Sequence, residues 1–350
     1  MLKINKDSKI YLLCPSQIAT GGTESIHLLC HHLIERGYNS KIVYLKESFP
    51  NGNGHPGHGI IDRSAFWQDY IDGNLTKTDL DAKPYPIFPC KNEEFSKYKT
   101  ELSMTIEDDS NNILIVPEIF LNALERYDNI QKCIWWLAAR LNDDGTYEQE
   151  KWFNFDENPE VIHFYNSNFS EYMLLSNNAQ YIHRLQTFVN IDFIEDYDKI
   201  EKHNLIVFNP KKGAEFVEKL YDKYPNIGQY VPLKNYTRDT VKKVLRDAKV
   251  YIDFGHHPGR ERLPREAVLS GCCVIVGHRG SARFFQDVPI KNKYKFDCSD
   301  LDVDGVAKTI KSCFENYDEQ TKDFDSYRRV LKNNIDQFII DTDNIFGSNK

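Results

Sequence analysis

The sequence predicts an α/β protein of two doubly wound domains facing a cleft. Three observations carry this expectation. Short apolar runs alternate with amphipathic helical segments. The alternation runs twice, once from Lys9 and again from about Asn204. At 350 residues the chain exceeds an ordinary single core, whereas two domains of roughly 100 to 200 residues fit it well.

In the first series "KIYLLCPS" reads as a strand and "QIATGGTES" as a turn. "SIHLLCHHLIERG" is a helix with Ile26, Leu29, Cys30 and Leu33 on one face, closed by Gly37, and "SKIVYL" is the next strand. That strand–helix–strand unit is the right-handed parallel crossover. From Lys46 to about Thr105 the periodicity fades, and "FPNGNGHPGHG" has loop composition. Strands return in "NILIVPEIF", "KCIWWLAA" and "EVIHFYNS", followed by a helix in "FSEYMLLSNN".

The second series runs "NLIVFNPKKG" (strand and turn), a helix carrying Phe216, Val217 and Leu220 that stops at Pro225, and the strand "IGQYVPL". The helix "TRDTVKKVLRDAK", the strand "VYIDFG", the short helix "LPREAVLSG" and the strand "CCVIVG" complete it. Pro264 falls in the first turn of that short helix and Gly271 just past its end. The expected domains are 1–190 and 191–330. Residues 331–350 form a terminal helical segment outside the alternation that packs back on the first domain.

Composition narrows the function. A net charge of −8 argues against nucleic acid as a partner. No apolar run approaches the length of a membrane span, and the N-terminus lacks the pattern of a cleaved signal, so a cytoplasmic location is expected. The eight cysteines contain no C-x-x-C pair and read as reduced core residues. "HPGHG" and "CHH" do not supply a ligand set with metal-binding spacing, so no metal is expected.

The chemistry concentrates in "IDFGHHPGRERLPREAVLSG". A helix start offers free backbone N–H groups, and Arg260, Arg262 and Arg265 add donors suited to phosphate oxygens. Glu266 is placed to accept from the paired hydroxyls of a ribose or sugar. A capped, solvated helix start is the plainer alternative. The segment leaves the C-terminal end of a parallel strand, the edge where such sheets bind ligands, and this favours a site. Lys211 and Lys212, in "FNPKKG" with Asn209, reach the same edge. The glycine pair Gly21 and Gly22 lets backbone approach a ligand closely. It lacks the G-x-G-x-x-G spacing of a dinucleotide oxidoreductase, although Glu47 stands near the position of a ribose-binding acid.

Together "GGTES", "FNPKKG" and "RLPREAVLSGCCVIVG" resemble the GT-B glycosyltransferases, in particular bacterial nucleotide-sugar transferases with an early "GGxE" turn and a late "G-x-P-x-x-E-A" segment. The resemblance covers both ends of the chain and leaves 46–105 unmatched. It implies two facing Rossmann-like domains, with the donor held mainly by the second and the acceptor by the first. Glu266 would hold the donor ribose. Lys212 and the turn Leu263, Pro264, Arg265 would hold the diphosphate, with Gly21 and Gly22 lining the cleft beside it and Pro232 and Leu233 near the base. Many retaining members carry a further glutamate eight positions before the one matching Glu266. Here that position is Pro258, which leaves Glu261, His256 or His257 to serve the sugar hydroxyls.

An inverting reaction needs a general base, for which Glu118 in "VPEIF" leads and Asp143 follows; each is also readable as a surface or capping acid. In a retaining reaction, stabilisation of the leaving diphosphate carries most of the rate. The expected function is transfer from a nucleotide sugar, without a cofactor, to a glycan or lipid-linked acceptor in bacterial surface polysaccharide synthesis. A lipid-linked acceptor would bring peripheral membrane association. The alternatives are a non-catalytic nucleotide- or glycan-binding subunit and a nucleotide-sugar epimerase of the same fold.

Overall fold

The computed structural model describes residues 2–16, 20–45, 95–139, 141–142, 153–189 and 200–347. In the first domain, strands β1 (Lys9–Pro15), β2 (Asn39–Leu45), β3 (Glu101–Leu102), β4 (Ile113–Pro117), β5 (Gln131–Trp136), β6 (Ile162–Tyr165) and β7 (Tyr181–Arg184) form one sheet in the order β3-β2-β1-β4-β5-β6-β7. Every pairing is parallel. Its strands are apolar on both sides because both faces are covered: Ile10, Leu12 and Cys14 enter one core, Tyr11 and Leu13 the other. Helices α1 (Gly21–Glu35) and α2 (Asn168–Ser176) flank it.

The second domain holds β8 (His203–Phe208), β9 (Gln229–Pro232), β10 (Ala248–Asp253), β11 (Cys273–Gly277) and β12 (Lys295–Phe296), again all parallel, in the order β12-β11-β10-β8-β9. Its helices are α3 (Ala214–Lys223), α4 (Arg238–Asp247), α5 (Arg262–Leu269), α6 (Val303–Glu315), α7 (Tyr317–Gln320) and α8 (Asp325–Lys332). Each sheet reverses its strand order once, between β1 and β4 in the first and between β8 and β10 in the second. Such reversals open crevices at the carboxyl ends of the strands.

The last helix, α9 (Asn334–Phe346), buries Phe338, Ile345 and Phe346 in the core of the first domain. Arg36, the C-cap of α1, pairs with Asp343, and Tyr38 donates to the carbonyl of Phe346 at 2.7 Å. The stretch "SYRRVLKNNIDQFIIDT", whose sequence reads as one helix, is two helices parted at Asn333. The boundary expected at 190/191, Asp143 and "HPGHG" all lie outside the described residues. Among the described cysteines all are free and all but Cys298 are buried.

Candidate active site

A cavity of about 650 Å³ lies between the two domains. From the first domain it is lined by residues that follow strand ends: Gly21 and Gly22 after β1, Glu118 after β4, Leu137 and Ala138 after β5, Asn166 after β6, Thr187 after β7. From the second it takes the loop Pro258–Glu261 and the α5 residues Arg262 and Arg265. Both strand-end crevices therefore open on one chamber, as ligand sites in open parallel sheets do.

Local sequence explains the placement. Helix α1 starts at the glycines, earlier than the apolar periodicity indicates, because Thr20 caps it: the N–H of Thr23 donates to Thr20 Oγ1 and the N–H of Thr20 to Thr23 Oγ1. Gly21 and Gly22 thus form the first turn of a helix rather than a loop. Glu118 opens a 3₁₀ helix, Glu118–Arg126, and its Oε2 accepts the N–H of Leu137 at 3.1 Å. Asn166 ties the strand ends together, accepting from the N–H of Thr187 at 2.8 Å and donating to the carbonyl of Leu137 at 3.2 Å.

The two domains meet backbone to backbone at Gly259. The N–H of Ala139 donates to the carbonyl of Pro258 at 2.6 Å, and Ala138 bridges Gly259 in antiparallel fashion. A Cβ on Gly259 would run into the carbonyl oxygen of Leu137. The position that matches the missing glutamate thus carries a structural contact through the Pro258 main chain.

Arg260 and Arg265 line the cavity and are both at least nine-tenths buried. Among the described residues their hydrogen-bond partners are neutral oxygens. Arg260 donates to Gln186 Oε1 at 3.2 Å and to the carbonyl of Thr187 at 3.3 Å. Arg265 donates to the carbonyls of Thr187, Glu261 and Arg260 at 3.1, 3.0 and 2.7 Å. Among the described residues the Nε of Arg260 is buried without a hydrogen-bond partner. Burial first, and then the charge of Arg260, pull Arg265 down to about 9. Two buried guanidinium groups held by carbonyls suit a site that accepts an anion.

Glu266, the fifth residue of α5, is buried behind Arg262, whose Nε donates to Glu266 Oε1 at 2.6 Å. Burial raises the Glu266 carboxyl above the ordinary range, although Arg262 opposes it. Arg262 also reaches Glu24 on α1, Nη1 to Oε2 at 2.9 Å. Glu24 further receives the hydroxyl of Tyr98 at 2.8 Å, Lys97 at 3.3 Å and Arg238 at 3.5 Å. Burial pushes Glu24 up, but Arg262, Tyr98, Arg238 and Lys97 outweigh it and hold the carboxyl below its usual value.

Lys212 pairs with Glu261 at 2.7 Å and donates to the carbonyl of His256 at 3.4 Å. The preceding turn requires glycine at 213, whose φ is +67° and whose Cβ would meet the Phe254 carbonyl carbon at 2.7 Å. Asn209 accepts the N–H of Lys211 on that turn at 3.1 Å, and Pro232 ends β9 beside it, followed by Leu233, whose N–H donates to the carbonyl of Phe208 at 2.8 Å. His256 packs edge-on to Phe169. His257 is fully buried, with Nε2 3.3 Å from Asp253 Oδ1.

The sequence-selected residues therefore fall into two groups. Gly21, Gly22, Glu118, Arg260, Glu261, Arg262 and Arg265 line the cavity. Asn209, Lys211, Lys212, Pro232, Leu233, His256, His257, Leu263, Pro264 and Glu266 belong to the second domain's sheet edge and α5 without lining it; Lys212 is joined to the cavity through Glu261, and Glu266 through Arg262. Sequence reasoning passed over Asn166, Thr187, Lys97, Tyr98 and Arg238. Only Asn166 carried a signal, a polar residue directly after a buried apolar strand.

Comparison with known proteins adds the fold. No family model and no curated sequence matches the chain. A crystal structure of TarM superposes at TM-score 0.65 with 14% identity, over 98% of this chain and 99% of that one. The fold is GT-B. Sucrose-phosphate synthase from Thermosynechococcus elongatus shares this GT-B arrangement at TM-score 0.60 and 11% identity, covering 97% of this chain and 98% of that one. HepE from Anabaena, solved with UDP and glucose, does so at 0.57 and 11%, covering 97% of each. A further structure, of an S. aureus TarM mutant with fondaparinux, α-GlcNAc-glycerol and UDP, matches at TM-score 0.51 with 16% identity; the match covers 69% of this chain and 57% of that one. At these identities the likeness establishes the GT-B fold alone.

Proposed function

We propose that the protein is a glycosyltransferase that moves a sugar from a nucleotide sugar to a glycan or lipid-linked acceptor in polysaccharide synthesis. The observation that carries this reading is the interdomain cavity onto which the strand ends of both domains open, lined by the buried pair Arg260 and Arg265. The neighbours solved with UDP and with glycans make a nucleotide sugar and a glycan the natural pair of substrates.

In this reading the donor nucleotide lies along the edge formed by β8, β9 and β10. Lys212, Arg260 and Arg265 neutralise the diphosphate as the sugar–phosphate bond breaks, which is where positive charge lowers the barrier most. Glu266 accepts from the ribose hydroxyls. Glu118, facing the same chamber from the first domain, takes the acceptor hydroxyl proton if the reaction inverts. Glu261, released from Lys212 as that cation turns to phosphate, accepts from the sugar. The chemistry assigned to these side chains calls on no metal or cofactor.

Incubation with UDP-, GDP- and CMP-sugars tests the reading, with donor hydrolysis followed in the absence of acceptor. One nucleotide class is expected to release free sugar slowly, and Glu266→Ala to lower that rate by about 10- to 100-fold, the range for a lost hydrogen bond to a charged group. Binding without any sugar release would instead favour the non-catalytic subunit, a reading motivated by Pro258 standing where a carboxylate is common. An altered but intact nucleotide sugar would identify an epimerase.

A further inference from the structure

Glu24 is the point where charges from both domains converge. It stands in the first turn of α1 and is almost fully buried. Lys97 and Tyr98 approach it from the first domain; Arg238 on α4 and Arg262 on α5 approach it from the second. Arg262 is shared, since its Nε continues to Glu266. A chain of contacts thus runs from the first domain, through one guanidinium, to the carboxylate assigned to the ribose.

We propose that Glu24 is a positioning residue that, acting through Arg262, makes the ribose-binding geometry of Glu266 depend on the apposition of the two domains. The inference rests on the reading of Glu266 given above. Two physical consequences follow. Glu24 is the anion that three cations share across the cleft, so removing its charge leaves Lys97 facing Arg238 and Arg262 with like charge, and the apposition of the domains at this edge loosens. Arg262, no longer held from the far side, loses its fixed direction toward Glu266 Oε1. The carboxylate then presents its second oxygen to the ribose diol less well. A planar guanidinium that bridges two carboxylates with a different nitrogen to each, Nη1 to Glu24 and Nε to Glu266, is an arrangement in which Arg, not Lys, transmits position.

The test compares wild type, Glu24→Gln, which removes the charge at constant shape, and Glu24→Asp, which keeps it. Calorimetry measures binding of UDP, GDP and CDP and of their 2′,3′-dideoxy counterparts, and small-angle scattering measures the radius of gyration. Wild type is expected to prefer the tightest-binding ribonucleotide over its dideoxy form by at least about tenfold. Glu24→Gln is expected to reduce that preference below about threefold and to expand the particle, with Glu24→Asp restoring most of both. A purely structural role would lower thermal stability while leaving the diol preference intact, and that result overturns the proposal. If wild type binds none of the nucleotides, the donor reading fails and scattering alone decides: an unchanged radius in Glu24→Gln overturns the proposal. Should Glu24→Gln not fold, Arg262→Gln removes the bridging cation from the other side and carries the same expectations.

Discussion

The residues with the greatest leverage are those whose buried charges are held by neutral backbone groups. Arg265 spends three donors on carbonyls, and a lysine keeps the charge but cannot span three acceptors in a plane. Arg265→Lys is therefore expected to cost about 1–3 kcal/mol of stability, read from denaturant melts, and to weaken nucleoside diphosphate binding; an unchanged melt contradicts the geometry. Asp287 supplies a pH dependence. Its buried carboxylate accepts the N–H groups of Asn168 and Phe169 at the start of α2, joining the two domains. Burial raises it to about 6, against those N–H groups and the charges of Arg260 and Arg265. A carboxyl raised on folding contributes stability that is fully present below its unfolded value near 4 and is lost as pH rises through about 6. Melts from pH 3.5 to 7.5 should therefore show the stability of wild type relative to Asp287→Asn falling between about 4 and about 6 and level above that, whereas a constant difference excludes the role. The cavity-lining charges Arg260, Glu261, Arg262 and Arg265 drew notice in the sequence because charge in a Gly-Pro turn after an apolar strand has few structural uses. Asp287, Lys97 and Arg238 did not, since each is an ordinary polar residue until the fold brings the domains together.

At the scale of elements, the strand ends and their glycines decide where the site forms. The loop after β10 touches the loop after β5 only because residue 259 has no side chain, so Gly259→Ala should destabilise the protein by about 1–3 kcal/mol through overpacking and lower activity more than Gly22→Ala, whose Cβ meets Leu137 Cδ1 at an ordinary 3.4 Å. Thermal melts paired with donor hydrolysis separate the two effects; equal behaviour of the two variants contradicts the account. The strands were legible because parallel strands covered on both faces are continuous apolar runs. The start of α1 was misplaced because Thr20 and Thr23 fix it through reciprocal side-chain bonds that periodicity does not register. The break at Asn333 was hidden because apolar spacing continues across it and, among the described residues, no side chain caps the second helix. β7 is short and carries exposed and partly exposed residues, which left its sequence without a strand pattern.

The whole molecule is two parallel-sheet domains whose contacts include the Gly259 backbone bridge, the Asp287 cap on α2, the ion pairs of Glu24 with Arg238 and Arg262, and α9, which packs into the first domain's core. Among the described residues no helix is long and apolar enough to cross a membrane. The duplicated strand–helix alternation made the two-domain plan readable from the sequence, whereas the cavity was not, because it is a product of how loops from distant segments meet. Its central assignment is that a nucleoside diphosphate lies between the β8–β10 edge and the loops of the first domain. The most direct measurement is a crystal structure with the nucleoside diphosphate that binds tightest in solution. The account predicts phosphate oxygens within hydrogen-bond distance of Lys212 and of Arg260 or Arg265, and ribose hydroxyls on Glu266. A nucleotide bound outside the interdomain cavity, with the Lys212–Glu261 and Arg262–Glu266 pairs unchanged, would contradict it.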